Sequence, residues 1–183
     1  MFAQIGQFLV DTVATFFVFL LLARFHFQWL RVPFRNPVGE FTLATTNWIV
    51  APARRLVPAV AGMDAATLAL AWLAQVAGIW LQSAILGAEV GALALACVAL
   101  LDLVRYSLYI LSFAVIVQAV LSWVSPYTPL APLFDAMTRP FLRPLRRLVP
   151  PIANVDLTPL ILLVLLQVLL IPVAHLRAVA AGL

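Results

Sequence analysis

Four stretches of this sequence are apolar over lengths that a water-soluble core does not need. A bilayer core of about 30 Å is crossed by ~20 helical residues. Runs of that order extend from about Ile5 to Gln28, Ala65 to Leu86, Ala92 to Trp123 and Leu157 to Val173. Soluble domains are about half apolar and a quarter charged. Here 65% of the residues are hydrophobic and 10% charged, with a mean hydropathy of +1.10. The pattern predicts an all-α membrane protein with four transmembrane helices.

The third run exceeds one crossing and carries Asp102 and Arg105 in its first half. An ionisable group inside a span is expensive, so the membrane-buried part is expected at 106–123. The remaining spans are expected at 5–28, 65–86 and 157–173. The first has the length of a leader segment, but Met1 to Gln7 carries no positive charge, and it is expected to be retained. The thirteen prolines fall mostly between the apolar runs, as punctuation and not as a low-complexity tract.

Every one of the 11 basic residues is an arginine, and the net charge is +4. Such a balance could serve nucleic-acid binding, but the positions point to topology. Arg31, Arg35, Arg54, Arg55, Arg139, Arg143, Arg146 and Arg147 all lie in the connections 30–63 and 124–155, whereas the Gly87 to Gly91 connection carries none. Basic residues collect in cytoplasmic loops. Both Arg-rich loops are therefore expected on the cytoplasmic side of a bacterial inner membrane, with both termini periplasmic and anionic lipid headgroups, not nucleic acid, as counter-charge.

The chain also repeats itself. Pro52-Ala53-Arg54-Arg55-Leu56-Val57-Pro58 recurs as Pro144-Leu145-Arg146-Arg147-Leu148-Val149-Pro150 at an offset of 92. The same register pairs Thr46 with Thr138, Asp64 with Asp156 and Gln75 with Gln167, and two further residues of offset pair Trp29 with Trp123. Chance similarity between apolar helices matches leucines and alanines, not an arginine pair, two prolines, an aspartate and a glutamine in register. Two tandem two-helix repeats, 1–90 and 91–183, follow, each a span, an Arg-rich loop and a span. Parallel repeats of this kind are related by an axis along the membrane normal.

At about 100° per residue, Phe134, Met137, Phe141, Leu145 and Leu148 share one face of the second loop, and Arg139, Arg143, Arg146 and Arg147 the other. This is the pattern of an interfacial amphipathic segment. Pro140 and Pro144 predict two short pieces instead of one helix. The first loop repeats the scheme more weakly, with Phe41, Thr45, Trp48 and Pro52 on one side and Arg54 and Arg55 as its cationic part. Asp64 and Asp156 each precede a long apolar helix, where a carboxylate caps free amides and meets the positive helix end, within reach of the arginine pair of its own unit. Asp11 and Arg105 occupy equivalent positions in the two first spans, which suggests a buried cross-repeat ion pair, the alternative being that each snorkels separately to the interface.

No reactive constellation emerges. Cys97 stands alone in an apolar run, and His26 and His175 belong to no ligand-spaced motif. No phosphate loop or nucleophile with a nearby base is present, so no enzyme activity, cofactor or metal is expected.

The two Arg-Arg-Leu-Val-Pro segments, each followed by an aspartate and an apolar helix, together with Leu121-Ser122-Trp123, resemble the YggT family, called YlmG in Gram-positive bacteria and plastids. The resemblance runs from Thr15 to about Val173. In that family an arginine commonly stands five residues before the tryptophan; Arg24 fits ahead of Trp29, whereas Gln118 precedes Trp123. The resemblance implies the two-repeat membrane fold. It also implies an association with osmotic or potassium stress, with the division machinery, or with assembly of membrane complexes. The expected function is a structural, assembly or accessory factor that acts on a membrane-protein partner or as a homo-oligomer. Arg54, Arg55, Arg139, Arg143, Arg146, Arg147, Phe134 and Phe141 are its candidate lipid or partner contacts. The alternative is an ion channel or transporter component, with Asp11, Gln75, Gln82, Asp102, Arg105, Gln118 and Gln167 along a polar path.

Overall fold

The computed structural model describes residues 2–58, 63–125, 127–149 and 156–183. They form six helices: α1 (Phe2–Trp29), α2 (Pro37–Leu56), α3 (Ala65–Leu86), α4 (Ala92–Val124), α5 (Ala131–Leu148) and α6 (Thr158–Ala181). Four of these, α1, α3, α4 and α6, are long and apolar enough to cross a membrane. The other two, α2 and α5, occupy the Arg-rich connections, one per repeat. Large apolar side chains such as Phe8, Leu73, Phe113 and Ile171 point out of the bundle. That is the arrangement for helices surrounded by acyl chains, where association rests on close packing and polar contacts.

Local chemistry sets the helix ends. Asn36 caps α2 by accepting the Gly39 N–H at 2.9 Å. A Cβ at Gly39 would stand 2.6 Å from the Phe34 carbonyl oxygen, so only glycine fits there. Gly87, with φ of 67°, closes α3 in the left-handed conformation and opens the short turn into α4.

Within each repeat the two spans pack antiparallel, α1 on α3 and α4 on α6. The first pair approaches so closely that a Cβ on Gly78 would lie 2.8 Å from the Ala14 Cβ. The repeats meet through α4, which packs on both α3 and α1. Val18, Leu21, Leu22, Val50, Ala71, Leu103 and Tyr106 form the core of that junction. A closed two-fold would add an equivalent α6 surface on α1, and no comparable one is formed; α6 packs on α4 and α5. The asymmetry has a sequence cause, since Phe8 stands in α1 where Asp102 stands in α4.

The helices of two spans run beyond the segments expected in the membrane: α4 is helical from Ala92, with Asp102 and Arg105 inside it, and α6 continues past Val173 to Ala181. One expectation changes: α5 is one helix with Pro140 and Pro144 inside it, not two pieces. Both prolines lie on its exposed side, where a carbonyl left without its helical partner can meet water. The opposite side is fixed by burial of Leu133, Phe134, Met137 and Leu142. At roughly 1.5–3 kcal/mol per buried side chain, that anchoring offsets the ~3 kcal/mol of each interior proline.

Candidate functional site

The Arg-rich end of the bundle carries the same clasp twice. Asp64 caps α3 through the Thr67 N–H at 3.3 Å and also accepts the Thr67 hydroxyl. Its Oδ2 receives Arg54 Nε at 3.2 Å and Nη2 at 2.6 Å. In the second repeat Asp156 accepts the Thr158 N–H at 2.9 Å and hydroxyl at 2.6 Å, and Arg146 Nε at 2.8 Å. Each clasp ties the end of an amphipathic helix to the start of the following span. Burial by itself would raise the Asp64 carboxyl, but the hydrogen bonds from Arg54 and Thr67 hold it below the ordinary carboxylate value. For Asp156 burial likewise pushes upward, and Thr158 and Arg146 bring the net shift below it. Both are carboxylates at neutral pH.

The remaining predicted residues divide by exposure. Arg55, Arg143 and Arg147 are exposed, with no acidic partner among the described residues. Arg139 is exposed and holds Asp135 one helical turn away at 2.5 Å. On α5, Phe134 is buried and Phe141 half-buried, so they anchor the helix on the bundle instead of presenting a free surface. Pro52, Pro58 and Pro144 are exposed at the same end, while Pro150 lies outside the described residues. On α2 the predicted apolar side, with Phe41, Trp48 and Pro52, faces outward. Its inner face is Gly39, Thr42, Thr46 and Val50.

That threonine face has a purpose the repeat pattern did not reveal. Arg24, 1% exposed, donates from Nη1 to Thr46 Oγ1 at 2.8 Å and from Nη2 to Asn47 Oδ1 at 3.3 Å. A guanidinium buried in α1 thereby holds α2 from beneath.

A second polar centre lies within the spans. The expected pair of Asp11 with Arg105 is not made. Asp11 is exposed and accepts Gln82 Nε2 at 3.0 Å, and Arg105 turns to Asp102, Nη1 to Oδ1 at 3.8 Å. The Arg105 guanidinium carbon lies 5.3 Å and 5.8 Å from the ring centres of Tyr106 and Tyr109. Asp102, 1% exposed, accepts Arg177 Nε at 2.6 Å and Nη2 at 3.3 Å from α6, and Gln75 Nε2 at 3.0 Å from α3. One carboxylate thus joins three spans and both repeats. Arg177 escapes a sequence reading because it stands in what looks like a tail, 75 positions from its partner. The signal that could have found it is the one carboxylate and the one guanidinium left over in the same half of two adjacent spans.

Among the described residues no cluster of histidine, cysteine, aspartate or glutamate could hold a metal ion. The comparisons with known proteins agree with the repeat. The profile of the CCB3/YggT family matches residues 3–85 and 97–176, one segment per repeat. The chain is 32% identical to the Escherichia coli K12 uncharacterized protein YggT over 170 residues, covering 92% of this chain and 88% of that one. It is 31% identical to an uncharacterized Pseudomonas aeruginosa protein over 157 residues, 84% and 80% of the two chains. A Vibrio alginolyticus protein described by its place in the proC 3' region is 30% identical over 166 residues, 88% and 89% of the two. No solved structure is significantly similar. With the profile matched in both halves and these relatives aligned over most of their length, the chain belongs to the CCB3/YggT family.

Proposed function

We propose that this chain is a non-enzymatic scaffold of the bacterial inner membrane, an accessory or assembly factor for a larger membrane complex or the division and envelope machinery. The observation that carries this reading is the repeated clasp. Arg54 with Asp64 and Arg146 with Asp156 fix α2 and α5 at one end of the bundle while Arg55, Arg143 and Arg147 stay exposed. On the cytoplasmic side, such residues meet anionic headgroups at about 1 kcal/mol each near the surface, or acidic segments of a membrane partner. Four of the polar residues considered for a conducting path favour a scaffold instead, because Asp102 takes up Gln75, together with Arg177, and Asp11 takes up Gln82.

The test is affinity purification from native membranes in a gentle detergent, with mass spectrometry of what co-elutes at fixed ratio. A stoichiometric partner lost on neutralising Arg55, Arg143 and Arg147 is the expected result. An assembly of identical copies that conducts ions in liposomes overturns the scaffold in favour of a channel.

A further inference from the structure

One of the polar positions at which the two repeats differ lies beside a cavity. Gln118 stands where Arg24 stands in the first repeat. Arg24 fills its place with a guanidinium bonded to α2. Gln118 is shorter and neutral, and its Oε1 is buried without a hydrogen-bond partner among the described residues. A buried acceptor left in that state loses its hydration without compensation, so a ligand donor there gains what the chain itself does not supply. Beside it, between α4 and α6, lies a cavity of about 290 Å³. Its polar wall is Gln118, Ser122, Arg146 and Asp156, and its apolar wall includes Leu160 and Leu163.

The groups on this wall are complementary to a zwitterion. Asp156 carries a negative charge; its Oδ1 is taken up by the Thr158 N–H and hydroxyl, while Oδ2, bonded by Arg146 Nε, retains a further lone pair. Arg146 engages Asp156 through Nε, whereas Arg54 spends both Nε and Nη2 on Asp64. Among the described residues the Nη groups of Arg146 have no hydrogen-bond partner and can meet an anionic oxygen. A positively charged N–H donor is matched by the acceptors on this wall, Gln118 Oε1, Ser122 and Asp156, whereas in the first repeat the Arg24 guanidinium is held by Thr46 and Asn47 of α2. Leu160 is exposed, so the apolar wall continues onto the outer surface of α6, which faces acyl chains.

The geometry points to a binding site for a phospholipid with a primary-amine headgroup, of the phosphatidylethanolamine type. Its ammonium takes the place of the missing arginine, its phosphate meets Arg146, and an acyl chain lies along Leu160 and Leu163. The volume is at the small end for ligand sites and suits a headgroup, with the tails outside. This site is independent of the partner-docking face, which selects for negative charge.

The full-length chain, delipidated in detergent and offered phosphatidylethanolamine, phosphatidylcholine or phosphatidylglycerol, is examined by native mass spectrometry. One phosphatidylethanolamine per chain is expected, bound roughly tenfold more tightly than phosphatidylcholine, which has no N–H to donate. Gln118→Arg restores the internal guanidinium and is expected to abolish that preference. Leu163→Trp fills the cavity from its apolar wall and gives the same loss without a change of charge, which guards against misfolding of the first variant. A preference for phosphatidylglycerol, equal binding of the two zwitterionic lipids, or undiminished preference in both variants overturns the site.

Discussion

At Asp102 a single carboxylate faces two guanidinium groups inside the spans, Arg177 at 2.6 Å and Arg105 at 3.8 Å. Removing one partner of a buried pair costs about 3–5 kcal/mol, whereas replacing both by apolar groups is often neutral. Asp102→Asn is therefore expected to lower stability by roughly 3 kcal/mol, and Asp102→Leu with Arg177→Leu to recover most of that loss. Melting in detergent, followed by alkylation of the half-buried Cys97, measures both. The clasp aspartates behave differently because they can titrate from the aqueous side. Asp64 and Asp156 are held below the ordinary carboxylate value. A group depressed on folding contributes its stability above the unfolded value, about 3.9 for aspartate, and loses it as the pH falls through the folded one. Stability from the clasps is expected to be flat between about pH 5 and 8 and to fall below about pH 4. Asp64→Asn removes part of that acid response, as thermal melts across the range will register.

At the scale of the element, α5 shows which local rule yields. Two interior prolines predict a break, and the helix forms because one side of it is buried against α4 and α6. Replacing both by alanine restores the amide donors while leaving the buried face untouched. Pro140→Ala with Pro144→Ala is expected to slow hydrogen exchange over 139–148 and to stabilise by roughly 2–4 kcal/mol, less than the full ~3 kcal/mol per interior proline because the unfolded chain gains freedom as well. Faster exchange would show that the prolines support the helix. On α2 the same scale explains the inverted face. Thr46 turns inward, where it accepts a hydrogen bond from Arg24, Thr42 lies one turn away on the same face, and Phe41 and Trp48 are left on the outside. Periodicity alone assigned the apolar residues to one side correctly, and could not say which side was in.

For the whole molecule, the arginine asymmetry makes a directional prediction. With eight arginines in the two loops that carry α2 and α5, a phosphatase fused after Leu183 is expected to be active and a fluorescent protein in its place dark. The opposite pattern would put the clasps outside the cell. Composition, run length and the offset of 92 were enough to determine a four-span bundle of two repeats, because these depend on the bilayer thickness and on residues near one another in the chain. The clasps were legible for the same reason: Arg54 and Asp64, like Arg146 and Asp156, are ten positions apart. The lengths of α4 and α6 were not. Asp102 and Arg177 each look like the edge of a span when regarded as an unpaired charge in hydrocarbon. Only the antiparallel packing of α4 on α6 brings them within 2.6 Å, and that proximity lets both helices continue. The energy of a charge in a membrane depends on its neighbours, and its neighbour here is chosen by the fold.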